Sequence, residues 1–274
     1  MNKYCALLWT TAFSTILASD GRSQRTSSPT PAAELVRQFA EGENDRALEI
    51  SGDPCPADDQ YGNEVFRGLL ALGPTGSRVQ ALAGAWRYAL RTCDDERIAD
   101  WFRLHIRQTK DTYAFLSLGI ALAQSPTPAN LDALRDGVFR DDLSERARGE
   151  VLAAAETINA EEQIRWLMEG YRSGRSIPVP YLNNRFLFGL SDQSAIGRTR
   201  ALIVAAVRAR PDMPSAENVI RMLAGDALGP RGDRAWREQL GRALTQLAAD
   251  PRATAEARAA AEGAAAEIGR SNRQ

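Results

Sequence analysis

The chain is predicted to be all-α, a solenoid of stacked antiparallel helix pairs, and three observations predict it. Across residues 94–173 one pattern recurs at a step of 33 residues: Ile98, Leu131 and Ile164 form one column, Trp101, Leu134 and Leu167 the next, and His105, Val138 and Tyr171 a third. Within each copy the offsets of 0, +3 and +7 place the three side chains on one helical stripe. Copies also open on capping residues, Thr127 before Pro128 and Asn159 three residues ahead of Glu162, as helix starts do. A fixed period of this size marks supersecondary units that bury their apolar faces only against neighbours.

Composition supports a globular chain and narrows its partners. Of 274 residues, 44% are hydrophobic and 25% charged, and the formal net charge is −1. No overall field therefore draws the chain to nucleic acid or an anionic membrane surface, and no nucleic-acid-binding module is present. The only lysines are Lys3 and Lys110, so nearly all positive charge is arginine. That bias, with heavy alanine use, lowers the functional weight of any one arginine.

Residues 1–23 read as a secretory signal: Lys3 precedes an apolar run from Tyr4 to Ala18, and small residues follow. The run is shorter than the roughly 20 residues of a membrane span, and no later segment is apolar enough to cross a bilayer. The expectation is an exported, periplasmic protein of a Gram-negative bacterium. Residues 24–31 form a polar, proline-bearing tether. Residues 32–268 are expected to make one helical domain, and 269–274 to fray.

Ala32–Ala40 and Asn44–Ile50 read as short helices, and the proline-rich 51–60 stretch interrupts them. Helices over Tyr61–Leu72 and Thr75–Thr92 follow. Loss of the signal removes Cys5 and leaves Cys55 and Cys93, which in an oxidising compartment are expected to pair. Closing that loop would stabilise by roughly 4 kcal/mol on the loop-entropy account. In the repeats, helices are expected at about Asp95–Gln108 and Asp111–Gln124, the second apolar almost all round and so buried on both sides. A capping-box spacing from Asp142 to Glu145 opens a later helix.

Asp142, six residues before Arg148 and followed by Val151, Leu152 and Ala155, resembles the second helix of a HEAT repeat. Ala253–Ile268 is similar in its small residues and Arg258, with Arg252 where the aspartate would stand. The resemblance implies a right-handed solenoid used as a protein-binding scaffold, and it brings no catalytic residue or cofactor.

Beyond Tyr171 the register lapses. Residues 173–180 are expected to be an extended loop held by Pro178 and Pro180, followed by helices at Tyr181–Leu190, Ala195–Val207, one capped by Ser215, Asp233–Ala249 and Ala253–Ile268. Residues 163–210 hold eight arginines against Glu169 and Asp192. With nearby aromatics, this marks Arg165, Arg172, Arg175, Tyr181 and Arg185 as a candidate surface for an acidic protein partner. The 173–181 loop and Asn183–Asn184 are a second place for contacts.

His105 is the only histidine, and its column equivalents Val138 and Tyr171 place it in the packing layer. The acidic pairs Asp94–Asp95, Asp141–Asp142 and Glu161–Glu162 lie at helix starts, where capping accounts for them. The leading reading is an exported scaffold, adaptor or inhibitor without cofactor or metal. The alternative is an all-α envelope enzyme or small-ligand binder with a site between helices near His105 or Tyr181.

Overall fold

The computed structural model describes residues 29–51, 59–72, 78–93, 95–155 and 157–273. Ala32–Gln274 forms one compact unit, and its described residues are all-helical, without a strand. In chain order the helices are α1 (Ala32–Glu41), α2 (Arg46–Ser51), α3 (Gln60–Leu70), α4 (Val79–Thr92), α5 (Glu96–Gln108), α6 (Thr112–Gln124) and α7 (Pro128–Val138). They continue with α8 (Glu145–Ala154), α9 (Ala160–Arg172), α10 (Val179–Phe188), α11 (Gln193–Ala209), α12 (Ala216–Leu228), α13 (Arg234–Ala248) and α14 (Ala255–Ser271). The signal reading, most of the tether, and Cys55 with its bond to Cys93 lie outside the described residues.

Helix starts follow the capping logic. Asp95, Asp111, Thr127, Asn159, Asp192, Asp233 and Thr254 each accept a hydrogen bond from a backbone N–H of the first turn. Two expected caps differ. The cap of α8 is Ser144, which accepts from Ala147 N–H, because Asp142 is held outside the helix by Arg140. Ser215 stands at the start of α12 in a helical rather than extended backbone conformation, and it makes no cap bond. At the C-terminus α14 runs to Ser271, and Asn272 and Arg273 donate back to Ile268 and Arg270 carbonyls. α10 begins at Val179 rather than Tyr181, since Pro180 near a helix start costs no hydrogen bond.

Packing runs in two interleaved series. α4, α6, α8, α10 and α12 each lie on the next even helix, while α1 packs on α3, α5 on α7 and α9 on α11. The 33-residue columns are the core between them: Ile98, Trp101, His105, Leu134, Val138, Ile164, Leu167 and Tyr171 are all buried, and Leu131 is half-buried. α6 lies between α4 and α8. It approaches α8 so closely that a side chain on Gly119 would meet both Val151 methyls at 2.6 Å. Only its first turn escapes, leaving Tyr113 66% exposed. Phe66, Trp86 and Trp101 pack edge to face, with centroids 5.3 and 5.1 Å apart.

Arginines join successive pairs. Arg78 lies over the Phe39 ring and pairs with Asp45, and Arg140 donates to Ile106 O at 3.0 Å. Arg175 covers Phe139, and Arg252 donates to Arg208 O at 3.2 Å. Arg210 lies on Gly174, whose φ of +79° and lack of a side chain admit the guanidinium. Each reaches back to the preceding helix pair. The arginine bias of the sequence is thus partly structural.

Candidate protein-binding surface

The expected partner residues are dispersed among structural roles. Tyr181 and Arg185 do meet, but on the buried Gln163: the Tyr181 hydroxyl donates to Gln163 Oε1, and Arg185 Nε donates to the same oxygen at 2.8 Å. The Gln163 amide nitrogen donates to Leu152 O and Ala155 O at 3.1 and 2.9 Å. This knot ties α10 to α9 and to the end of α8. Burial pushes the Tyr181 hydroxyl above its ordinary pKa. Arg165 pairs with Glu162 at 2.8 Å, and Arg175 is committed to the Phe139 ring. Arg172 is exposed and makes no ion pair among the described residues. It is not joined to the other four.

His105 is 1% exposed. Its Nδ1 lies 2.8 Å from Trp101 O and its Nε2 3.1 Å from Leu72 O, and its ring stacks on Trp101 at 4.1 Å. Burial holds its pKa below the ordinary value, against the pull of the two carbonyls. The unfolded chain therefore takes up a proton below about pH 6.5 that the folded chain refuses. Stability is full above that pH and falls on acidification, by at most about 1.4 kcal/mol at pH 5.5. Urea midpoints at pH 7.5 and 5.5 should show this loss, and His105→Gln should flatten it.

An open groove lies where α10 meets α12, which touch less closely than α12 and α14 do. Its volume is about 560 Å³. α10 contributes Val179, Pro180, Asn183 and Leu187, α12 contributes Asn218, Arg221, Met222 and Gly225, and Glu145 at the start of α8 completes it. Both sets are single helical stripes, with spacings of three, four and seven or eight residues. The floor is apolar: Val179 and Met222 are 8% and 6% exposed. The walls carry the amides of Asn183 and Asn218, both exposed. A Cβ on Gly225 would meet nothing within 4 Å, so a larger side chain there has open space. Phe188, next to the lining residue Leu187, is 81% exposed and so shows more of itself to solvent than Tyr88, Leu104 or Tyr113.

A second cleft of about 410 Å³ lies at the starts of α5 and α7. Most of its charges are matched: Arg103 binds Glu96, Asp100 and Asn130, and Asp95 binds Arg97, while Arg91, which also lines it, makes no ion pair among the described residues. No group of three or more histidine, cysteine or acidic side chains among the described residues is placed to hold a metal.

Sequence reading counts Phe188 only among the aromatics near the arginine surface, and it misses the ion cluster of Asp226, Arg200 and Arg231. Phe186 and Phe188 are two positions apart, roughly 200° around a helix, so one buried aromatic implies that the other points out. Asp226 sits seven residues after Val219 and three after Leu223, on the buried stripe of α12. A carboxylate on such a stripe signals a buried partner. The chain matches no known family, no curated protein and no solved structure.

Proposed function

We propose that the chain is an exported helical-repeat scaffold, HEAT-like in its stacking, that binds another protein through the face formed by α8, α10 and α12. The observation that carries this reading is the groove on that face, whose lining residue Leu187 directly precedes the exposed Phe188 on α10. A solvent-exposed aromatic next to an apolar-floored cleft is the usual composition of an interface anchor. The two interleaved helix series and the buried columns support a solenoid. An acidic partner would find Arg172 alone of the expected set without a bond to its own chain.

The enzyme alternative is less well supported by the same geometry. A general base must reach the proton it removes, and His105 is enclosed with both nitrogens against backbone carbonyls. Tyr181 is likewise occupied by Gln163.

Binding by the chain is tested with Phe188→Ser and Arg172→Glu. The first should weaken recovery of a stoichiometric envelope partner at least tenfold and the second should leave it unchanged; the reverse order would return the site to the arginine surface. The reading of an exported chain with a Cys55–Cys93 bond is tested by thiol titration of the envelope fraction. No thiol should react in the unfolded chain before reduction, and two should react after it; two reactive thiols at the outset would refute the bond.

A further inference from the structure

We propose that Arg231 is a positioning residue: it clamps the last turn of α10 onto α12 and so fixes where Phe188 stands. The clamp itself is independent of what the chain binds, while its consequence for binding rests on the reading of α8, α10 and α12 as the docking face. Charge balance singles Arg231 out. The Asp226 carboxylate, fully buried, meets Arg200 at 2.7 Å and Arg231 at 2.8 Å, and neither arginine makes another ion pair among the described residues. One guanidinium balances one carboxylate. The deeper of the two is Arg200, whose side chain is 7% exposed against 21% for Arg231, so the Arg200–Asp226 pair is neutral by itself and Arg231 is surplus to it. A second cation beside a single buried carboxylate is kept at a desolvation cost, and its remaining bonds show where it acts. Arg231 Nε and Nη2 hold Asp226 Oδ1 at 3.1 and 2.8 Å. Its Nη1 donates to Phe186 O at 3.0 Å, and its guanidinium carbon lies 5.0 Å from the centre of the Phe186 ring.

Phe186 O belongs to the last turn of α10, where carbonyls lack a partner within the helix. No left-handed glycine closes that turn: Gly189 is right-handed, with φ of −87°, and donates to Arg185 O. Arg231 supplies the donor for Phe186 O, and its charge suits a helix C-terminus. Towards α9 the same turn is held by Arg185, which donates to Gln163 Oε1 at 2.8 Å. Towards α12, the Arg231 bond is the only one among the described residues that joins α10 to α12 or to the turn after it. Phe188 is 81% exposed, so little packing of its own holds it. Its place is that of the helix end, and the helix end is where Arg231 puts it.

Amide hydrogen exchange of the full chain and of Arg231→Met tests the clamp. Amides of residues 185–189 should exchange at least tenfold faster in the variant, while α9 and α14 keep their parental rates. The urea midpoint should move little, because the Arg200–Asp226 pair is left balanced. Arg237→Met removes another half-buried arginine, bonded to Gly232 O and Asn272, and should leave residues 185–189 unchanged. Exchange that rises equally over α9, α10 and α14 would mean that Arg231 acts on global stability alone and would overturn the clamp, as would unchanged exchange at 185–189. The consequence for binding is read by photocrosslinking from p-benzoylphenylalanine at position 188, whose adduct with the partner should fall at least fivefold when Arg231→Met is added. An undiminished adduct beside faster exchange would overturn the link to binding. No adduct from the parent would overturn the docking face and leave the clamp standing on its exchange result.

Discussion

Replacing Asp226 with alanine is expected to cost about 3–5 kcal/mol of stability, a large part of the roughly 5–15 kcal/mol that holds a domain folded. The Asp226 side chain is fully buried and binds two guanidiniums, Arg200 at 2.7 Å and Arg231 at 2.8 Å. Arg200 also donates to Arg231 O at 2.8 Å and lies over the Trp236 ring. Arg231 donates to Phe186 O at 3.0 Å and lies over the Phe186 ring. One carboxylate thus joins α11, α12, the α12–α13 turn, the start of α13 and the end of α10. Its removal strands two cations where water cannot reach Arg200 easily. A melting point lower by about 10 °C is expected for a domain of this size. Because most of that cost is the unpaired charge, replacing Asp226, Arg200 and Arg231 together with apolar residues of similar volume should recover much of it. Equilibrium denaturation of the single and triple variants separates these outcomes; a triple variant no better than the single one would mean that the ion cluster itself, rather than its charge balance, sets the stability.

Filling the groove should have the opposite profile, a large loss of binding with no loss of fold. Gly225 lies inside α12 with open space where its side chain would be, and glycine in a helix interior is worse than tryptophan by a few tenths of a kcal/mol. Gly225→Trp is therefore expected to melt at or slightly above the parent temperature while the partner's affinity falls at least a hundredfold. Gly263 of α14 offers a matched control, since it too faces open space and lies outside the groove. Gly263→Trp should likewise melt at or slightly above the parent temperature and leave binding unchanged. A Gly225→Trp chain that binds normally would remove the α10–α12 groove from the account.

The comparison of these two sites shows what the sequence made legible. The helical fold and its buried columns were readable because each depends on side chains within one helix: Ile98, Trp101 and His105 share a stripe whatever surrounds them. Caps such as Thr127 and Asn159 are equally local. The bonds of Arg185 and Tyr181 to Gln163 are not legible for the converse reason. Their shared acceptor, Gln163, lies 22 and 18 residues away, and no periodicity reports a contact between different helices. The Asp142–Arg148 spacing that suggested a repeat family does not form an ion pair: Asp142 binds Arg140, while Arg148 donates to Val138 O and Ser176 O. Arginine abundance misled in the same way, because a guanidinium that stacks on the preceding helix pair and one that awaits a partner look identical in sequence. The groove lies between. Its two stripes, Val179 to Leu187 and Asn218 to Gly225, are written in the chain, but their facing each other across a gap is a matter of how α10 and α12 pack.

The most direct test of the docking face is photocrosslinking from position 188 in intact cells. With p-benzoylphenylalanine in place of Phe188, irradiation is expected to give one discrete adduct with a partner protein, reduced when Gly225→Trp is added and not formed from the same probe at Gly263. Adducts from Gly263 or from Arg172 but none from position 188 would contradict the assignment of α8, α10 and α12 as the binding face.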